Sequence, residues 1–241
     1  MQRWILLFLL LLYVLLPGGA QAQEINLDLS DTYSLTNRSL QLILLITVLS
    51  VAPGILITIT CFPFIVTVFS ILRQAIGLQQ SPPNMLLVTL AMFLTFYVME
   101  PTFSEAWENG IKAYTNEPIN ESAAFENTLQ PFHQFMAARV HPETYAQLAA
   151  LRSEPIITLS ESSPISILIP AFMLSELSRA FQIGFLIYLP FLIIDLVVAA
   201  ILMSMGMMMV PPVIVSLPFK LAFFVVADGW VLLSSALVSS Y

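Results

Sequence analysis

Charge is what this chain has least of. Only 10% of its 241 residues are Asp, Glu, Lys or Arg, against about 25% in soluble domains. The eight basic residues are scattered and the net charge is −7, so the clustered cations that nucleic-acid binding needs are missing and no such partner is expected. A single cysteine, Cys61, excludes an internal disulfide. Set in an apolar stretch, it reads as a small buried hydrophobe rather than a reactive thiol. The two histidines, His133 and His141, have no Cys or Asp beside them at metal-ligand spacing. They read as surface residues, and no metal site is expected. HExxH, P-loop, GxSxG and dinucleotide patterns are also missing, so no catalytic residue and no cofactor is expected, and the chain is not read as an enzyme.

What is there is apolar: 58% of the residues are hydrophobic. Long apolar runs broken by proline predict an all-α membrane protein, built of helical hairpins with kinked or broken helices. Residues 1–22 read as a signal peptide. Arg3 supplies the positive start, residues 4–16 the apolar core, Pro17-Gly18-Gly19 a break and Ala20-Gln21-Ala22 a small-x-small cleavage site. An uncleaved anchor is the rival reading. Residues 23–39 form a polar extracytoplasmic lead-in.

Residues 40–101 read as a first hairpin. Its first span, to about Leu72, is longer than a crossing needs and holds Pro53-Gly54 and Pro63, which predict a break or strong bend. Such breaks are tolerated in lipid only under a cover of protein or water, which points to a packed assembly. After the polar turn at Pro82-Pro83-Asn84, with Asn84 as a candidate cap, a second helix is expected to end at Glu100-Pro101. Residues 102–164 carry eight glutamates and read as a small helical extracytoplasmic insert. Apolar residues at helical spacing (Leu129, Phe132, Phe135, Met136, then Tyr145, Leu148, Leu151) suggest that it docks on its neighbours. Arg73 and Lys220 flank the two turns assigned to the inner side, in line with the positive-inside rule.

Residues 165–241 read as a second hairpin, and two features stand out. Glu176, Arg179, Asp195, Lys220 and Asp228 lie in or beside apolar helices, where an unpaired charge costs roughly 2.5–3.5 kcal/mol on insertion scales. An ion path is one explanation. Pairing that locks helices or subunits together is the preferred one, because acids and bases nearly balance. Glu176 is expected to pair with Lys220, within the chain or across a subunit boundary, and Glu176 and Arg179 are also spaced to share a helix face. The second feature is a methionine cluster: Met203, Met205, Met207, Met208 and Met209 surround Gly206 and precede Pro211-Pro212. The chain is expected to leave the helix here. Unbranched apolar side chains on such a loop suit either core filler or a deformable seal, and residue types alone leave that choice open.

The ordered strings FQIGF, PFLIIDLV, GMMMVPP, LPFK and DGW resemble the C-terminal signature of the FliP family, the export-gate proteins of the flagellar type III secretion apparatus. The likeness reaches back through the Pro82-Pro83-Asn84 turn and weakens over residues 102–160. The resemblance implies a homo-oligomeric ring, a pentamer, joined by FliQ, FliR and an FlhB-type partner in the bacterial inner membrane at the flagellar basal body. Much of the assembly would lie on the periplasmic side, and unfolded flagellar subunits would pass through it. It also implies a pore gasket at Met205, Met207, Met208 and Met209. Two departures stand out. Pro63-Phe64 replaces a Thr-Arg pair usual in the family, and Ser178-Arg179 replaces Lys-Thr, which moves a basic residue by one place. The rivals are an injectisome export-gate homologue and a secondary ion or solute transporter, whose paired halves are not evident here.

Overall fold

The computed structural model describes residues 32–78, 81–116, 120–152, 159, 163–207 and 209–241. The expected signal peptide, most of the lead-in and Met208 lie outside the described residues. Among the described residues every regular element is a helix. The chain divides into two compact units, Met1–Val51 and Ala52–Tyr241. In the first unit, α1 (Thr32–Thr58) exposes every side chain described from residue 39 to residue 51. Its Thr47 and Ser50 hydroxyls donate to carbonyls of the same helix, Ile43 at 2.7 Å and Thr47 at 2.8 Å. These two hydroxyls then need no partner from outside the helix, as suits an apolar medium.

The second unit begins in the last turns of α1. Pro53 does not end that helix. The break falls at residues 59–61, and α2 (Phe62–Ile76) restarts with Pro63 in its first turn, where a missing amide hydrogen costs nothing. The expected break in the first span is therefore present, and Pro63 rather than Pro53 marks it. The buried stripe of α2, Phe64, Ile65, Val68, Phe69, Leu72, Ala75 and Ile76, has helical period and forms the middle of the core. Gly77 ends the helix in the left-handed region, at φ 90°, as glycine does readily.

After the 81–83 turn, α3 (Asn84–Ala106) departs from expectation twice. Asn84 does not cap the helix. Pro83 holds that position, and the Asn84 side chain instead accepts a hydrogen bond from Arg73 Nη1. The helix also runs on through Pro101. An interior proline costs about 3 kcal/mol in isolation, and burial of Met99 and Ala106 on either side of it offsets that cost. A π-helical turn, Trp107–Lys112, leads into α4 (Ala113–Asn116). The insert continues with α5 (Glu121–Arg139) and α6 (Pro142–Leu151). The π turn lies so close to α5 that a Cβ on Gly110 would fall 2.0 Å from the Thr128 hydroxyl.

The insert packs on α3 and on α7 (Ile165–Ser204). His133 is buried, with Nε2 2.7 Å from the Ser163 carbonyl, which corrects the surface reading for that residue. Its apolar neighbours Phe132 and Met136 carry it into the core. His141 is exposed, and its backbone N–H donates to the Ser175 hydroxyl at 3.0 Å. In α6, Tyr145 is buried whereas Leu151 is 82% exposed, so the apolar face predicted there stops short of its last member.

Residues 165–204 form one continuous helix of 40 residues that contains Pro170 and Pro190. It crosses α2 at close range: a Cβ on Gly184 would sit 2.4 Å from Ile71 Cδ1. α8 (Pro212–Val226) and α9 (Gly229–Ser239) follow, bent by 60° at their break. Asp228 holds φ 48° there. Gly229 lies against the Phe224 ring, where a Cβ would come within 2.2 Å, so Asp228-Gly229 forms the corner between the two helices. Among the described residues three helical stretches, Ser39–Thr58, Asn84–Thr115 and Ile165–Ser204, are long and apolar enough to cross a membrane, and the bent α8–α9 pair makes a fourth if it is taken as one span. The fold is that of an all-α membrane protein.

Candidate functional site

The methionine segment connects α7 to α8. Both of its edges are closed by local chemistry. At the α7 end the Gly206 N–H donates to the Met203 carbonyl and the Met207 N–H to the Leu202 carbonyl, both at 3.0 Å. With Gly206 at φ 75°, this is a Schellman motif. At the other edge Pro212 opens α8, with Pro211 extended before it. At this segment the side chains of Met205, Met207 and Met209 are 67%, 42% and 99% exposed. They do not act as core filler within the single chain. Below them, α7 and α8 leave an apolar cleft of about 550 Å³ whose lining includes Ile201, Met205, Met207 and Phe219.

Two of the singled-out charges meet beside this hairpin. Asp195 on α7 faces α8, where Ser216 and Lys220 stand one turn apart. Lys220 Nζ lies 2.6 Å from Asp195 Oδ2 and donates to the Ala75 carbonyl at 3.0 Å. The Ser216 hydroxyl donates to Asp195 Oδ1 at 2.5 Å. The ammonium is nearly buried while the carboxylate keeps 29% of its surface. Each charge has a counter-charge and a further hydrogen bond, the condition under which buried ions persist.

The expected Glu176–Lys220 pair does not form within the chain, because each residue has another partner. Glu176 Oε1 faces Arg139 Nε at 3.5 Å, and Oε2 accepts from the Tyr241 hydroxyl. Arg179 does not bridge to Glu176 among the described contacts; its Nη2 donates to the Ser240 carbonyl at 3.0 Å. The physical reason is reach across the fold. Arg139, at the end of α5 in the insert, lies beside Glu176 and supplies its counter-charge at 3.5 Å, whereas Lys220 is held by Asp195. Arg139 and Tyr241 were not singled out from sequence, since neither spacing nor composition marks them. Phe64, where the resemblance led to a basic residue, is fully buried, with its ring edge-on to Tyr241 at 5.4 Å.

Among the described residues no group of His, Cys, Asp and Glu is arranged to hold a metal ion. The site is therefore an apolar loop on a hairpin locked by one ion pair, with a second charge cluster elsewhere along α7. A profile described as the FliP family matches residues 45–237. The chain belongs to the FliP family. It is 49% identical over 228 residues to the flagellar biosynthetic protein FliP of Caulobacter vibrioides, covering 94% of this chain and 86% of that one. It is 48% identical over 242 residues to the protein of the same name from Agrobacterium fabrum, covering 97% and 98%. The Bacillus subtilis protein is 43% identical over 217 residues, covering 90% and 98%. The family match spans α2, α3, the insert, the ion pair and the methionine segment, while Ser240 and Tyr241 lie beyond its end.

Proposed function

We propose that this membrane protein of flagellar biosynthesis is a structural subunit of the flagellar protein-export gate. Copies join in a ring, pentameric by resemblance, with FliQ, FliR and an FlhB-type partner. The methionine segments of the ring close its pore, and unfolded flagellar subunits pass when the methionines part. Met205, Met207, Met208 and Met209 form the seal, and the Asp195–Lys220 pair holds the hairpin that carries it. Part of the assembly stands clear of the bilayer on the periplasmic side.

One observation carries the assembly. Along α7 an apolar stripe stays exposed from Leu174 through Leu177, Phe181, Phe185 and Leu189 to Leu196 and Met203. The 40-residue helix is about 60 Å long at 1.5 Å per residue, about twice the hydrocarbon core of a bilayer. Fitting the whole helix into lipid would require a tilt of about 60°, beyond the usual range of 0–40°. The surplus apolar surface calls for protein cover, and further subunits supply it. Flexible thioether side chains at the hairpin tip suit a seal that must deform around varied substrates.

Ion conductance of the purified complex in planar bilayers tests the reading. The closed wild-type assembly is expected to pass little current, and Met207→Ala with Met209→Ala to open a steady, unselective leak. Saturable, ion-selective flux through the wild type would instead favour a transporter and overturn the gate.

A further inference from the structure

Ser240 and Tyr241 follow α9 and reach into a charge cluster that the proposed seal does not use. The Tyr241 hydroxyl donates to Glu176 Oε2. Its ring lies under the Arg139 guanidinium, with Cζ 3.6 Å from the centroid, and it stacks with Phe135 at 6.1 Å. The Ser240 carbonyl accepts from Arg139 Nη2 at 2.8 Å and from Arg179 Nη2 at 3.0 Å. The Glu176 side chain is 1% exposed. Arg139 comes from α5, Glu176 and Arg179 from α7, and Phe64 from α2, so these two residues touch three helices beyond their own.

The arrangement is unequal. A buried carboxylate needs both a counter-charge and hydrogen-bond donors, and here the tyrosine supplies the donor to Oε2. α9, for its part, fully buries only Gly229, Leu233 and Leu237 of its 11 residues, with Trp230 half-buried against Phe69 and Phe224 at its near end. Beyond Trp230 it has little apolar hold of its own, so its far end belongs among the segments that open locally at low cost. The α2–α7 packing, by contrast, is continuous and buried.

We propose that Ser240 and Tyr241 form a latch. They fasten the far end of α9 to α5 and α7, and releasing them frees α9 while the α2–α7 core stays closed. The latch acts through the cluster, so Tyr241 and Arg179 are positioning residues. The inference does not depend on the export-gate reading.

Amide hydrogen exchange on the purified full-length protein in detergent tests it, with α2 as the internal standard. Tyr241→Phe keeps the ring and removes one oxygen; α9 amides are expected to exchange about 10-fold faster while those of α2 keep the wild-type rate. Arg179→Ala removes one of the two donors to the Ser240 carbonyl without touching Glu176, and is expected to speed α9 about 3-fold, again without α2. Unchanged α9 exchange in both variants overturns the latch. So does an equal acceleration of α2 and α9, or failure of both variants to fold, because either result would make the cluster part of the global stability.

Discussion

Glu176 and Asp195 are the two acids of one helix, nineteen positions apart, about 28 Å along its axis, and they are neutralised in opposite ways. Asp195 is answered from its own hairpin. Lys220 and Ser216 arrive on the next helix, the ammonium is a compact point charge, and the carboxylate keeps an exposed edge. Glu176 is answered from afar. Its cation is the arginine of the insert, a planar group that touches the carboxylate, a carbonyl and an aromatic face together. A local pair fixes the spacing of two adjacent helices. A remote cluster fixes where separate parts of the chain meet. The same side-chain chemistry therefore serves hairpin geometry in one place and tertiary docking in the other.

The comparison can be broken most forcefully at Lys220. Lys220→Glu places two carboxylates face to face in a nearly buried site, and a cost of about 4 kcal/mol or more is expected, with loss of the protein from the membrane. Exchanging the pair, Asp195→Lys with Lys220→Asp, is expected to restore a measurable part of that level and of swimming in soft agar. Exchanging Glu176→Lys with Lys220→Glu is expected to stay as defective as either change alone, because those residues do not meet within the chain; recovery by that second exchange would return the pairing to its sequence-based form. At the remote cluster, Arg139→Met leaves Glu176 buried without its cation, for an expected loss of about 3 kcal/mol. Adding Glu176→Leu should recover more than half of it, as followed by thermal unfolding in detergent. A double variant no more stable than the single would show that the charges are not coupled. The mildest change is Gly77→Ala. A Cβ there meets Leu217 at 3.7 Å and Lys220 at 4.0 Å, ordinary contacts, so the expected cost of about 1 kcal/mol comes from φ 90° alone. It should leave the α9 latch untouched.

These two sites also mark how far the sequence could be read. The helical class, the break near Pro63, the corner at Asp228-Gly229 and the loop around Gly206 follow from backbone rules that act over a few residues, and all are visible in the string of letters. The partner of Glu176 is not. Arg139 lies 37 positions away across an insert whose docking depends on side-chain volume, and Tyr241 lies 65 positions away. Sequence spacing carries no record of such contacts: Lys220, the partner expected from sequence, lies 44 positions from Glu176, farther than the arginine that meets it. His133 was misplaced for a related reason: a polar residue was assigned to the surface, although its neighbours Phe132 and Met136 pull that face of α5 inward. Pro101 shows the reverse, a local stop signal overridden by packing on both sides.

The capped edges of the methionine segment have a further consequence. Because Gly206 and Pro212 set the path of the chain from either side, the ends of the segment do not rely on its methionines for their position. Residues between the stops can differ in length and bulk while the two helices keep their spacing. In the proposed gate, side-chain size would then adjust the width of the opening in small steps, without redesign of the scaffold.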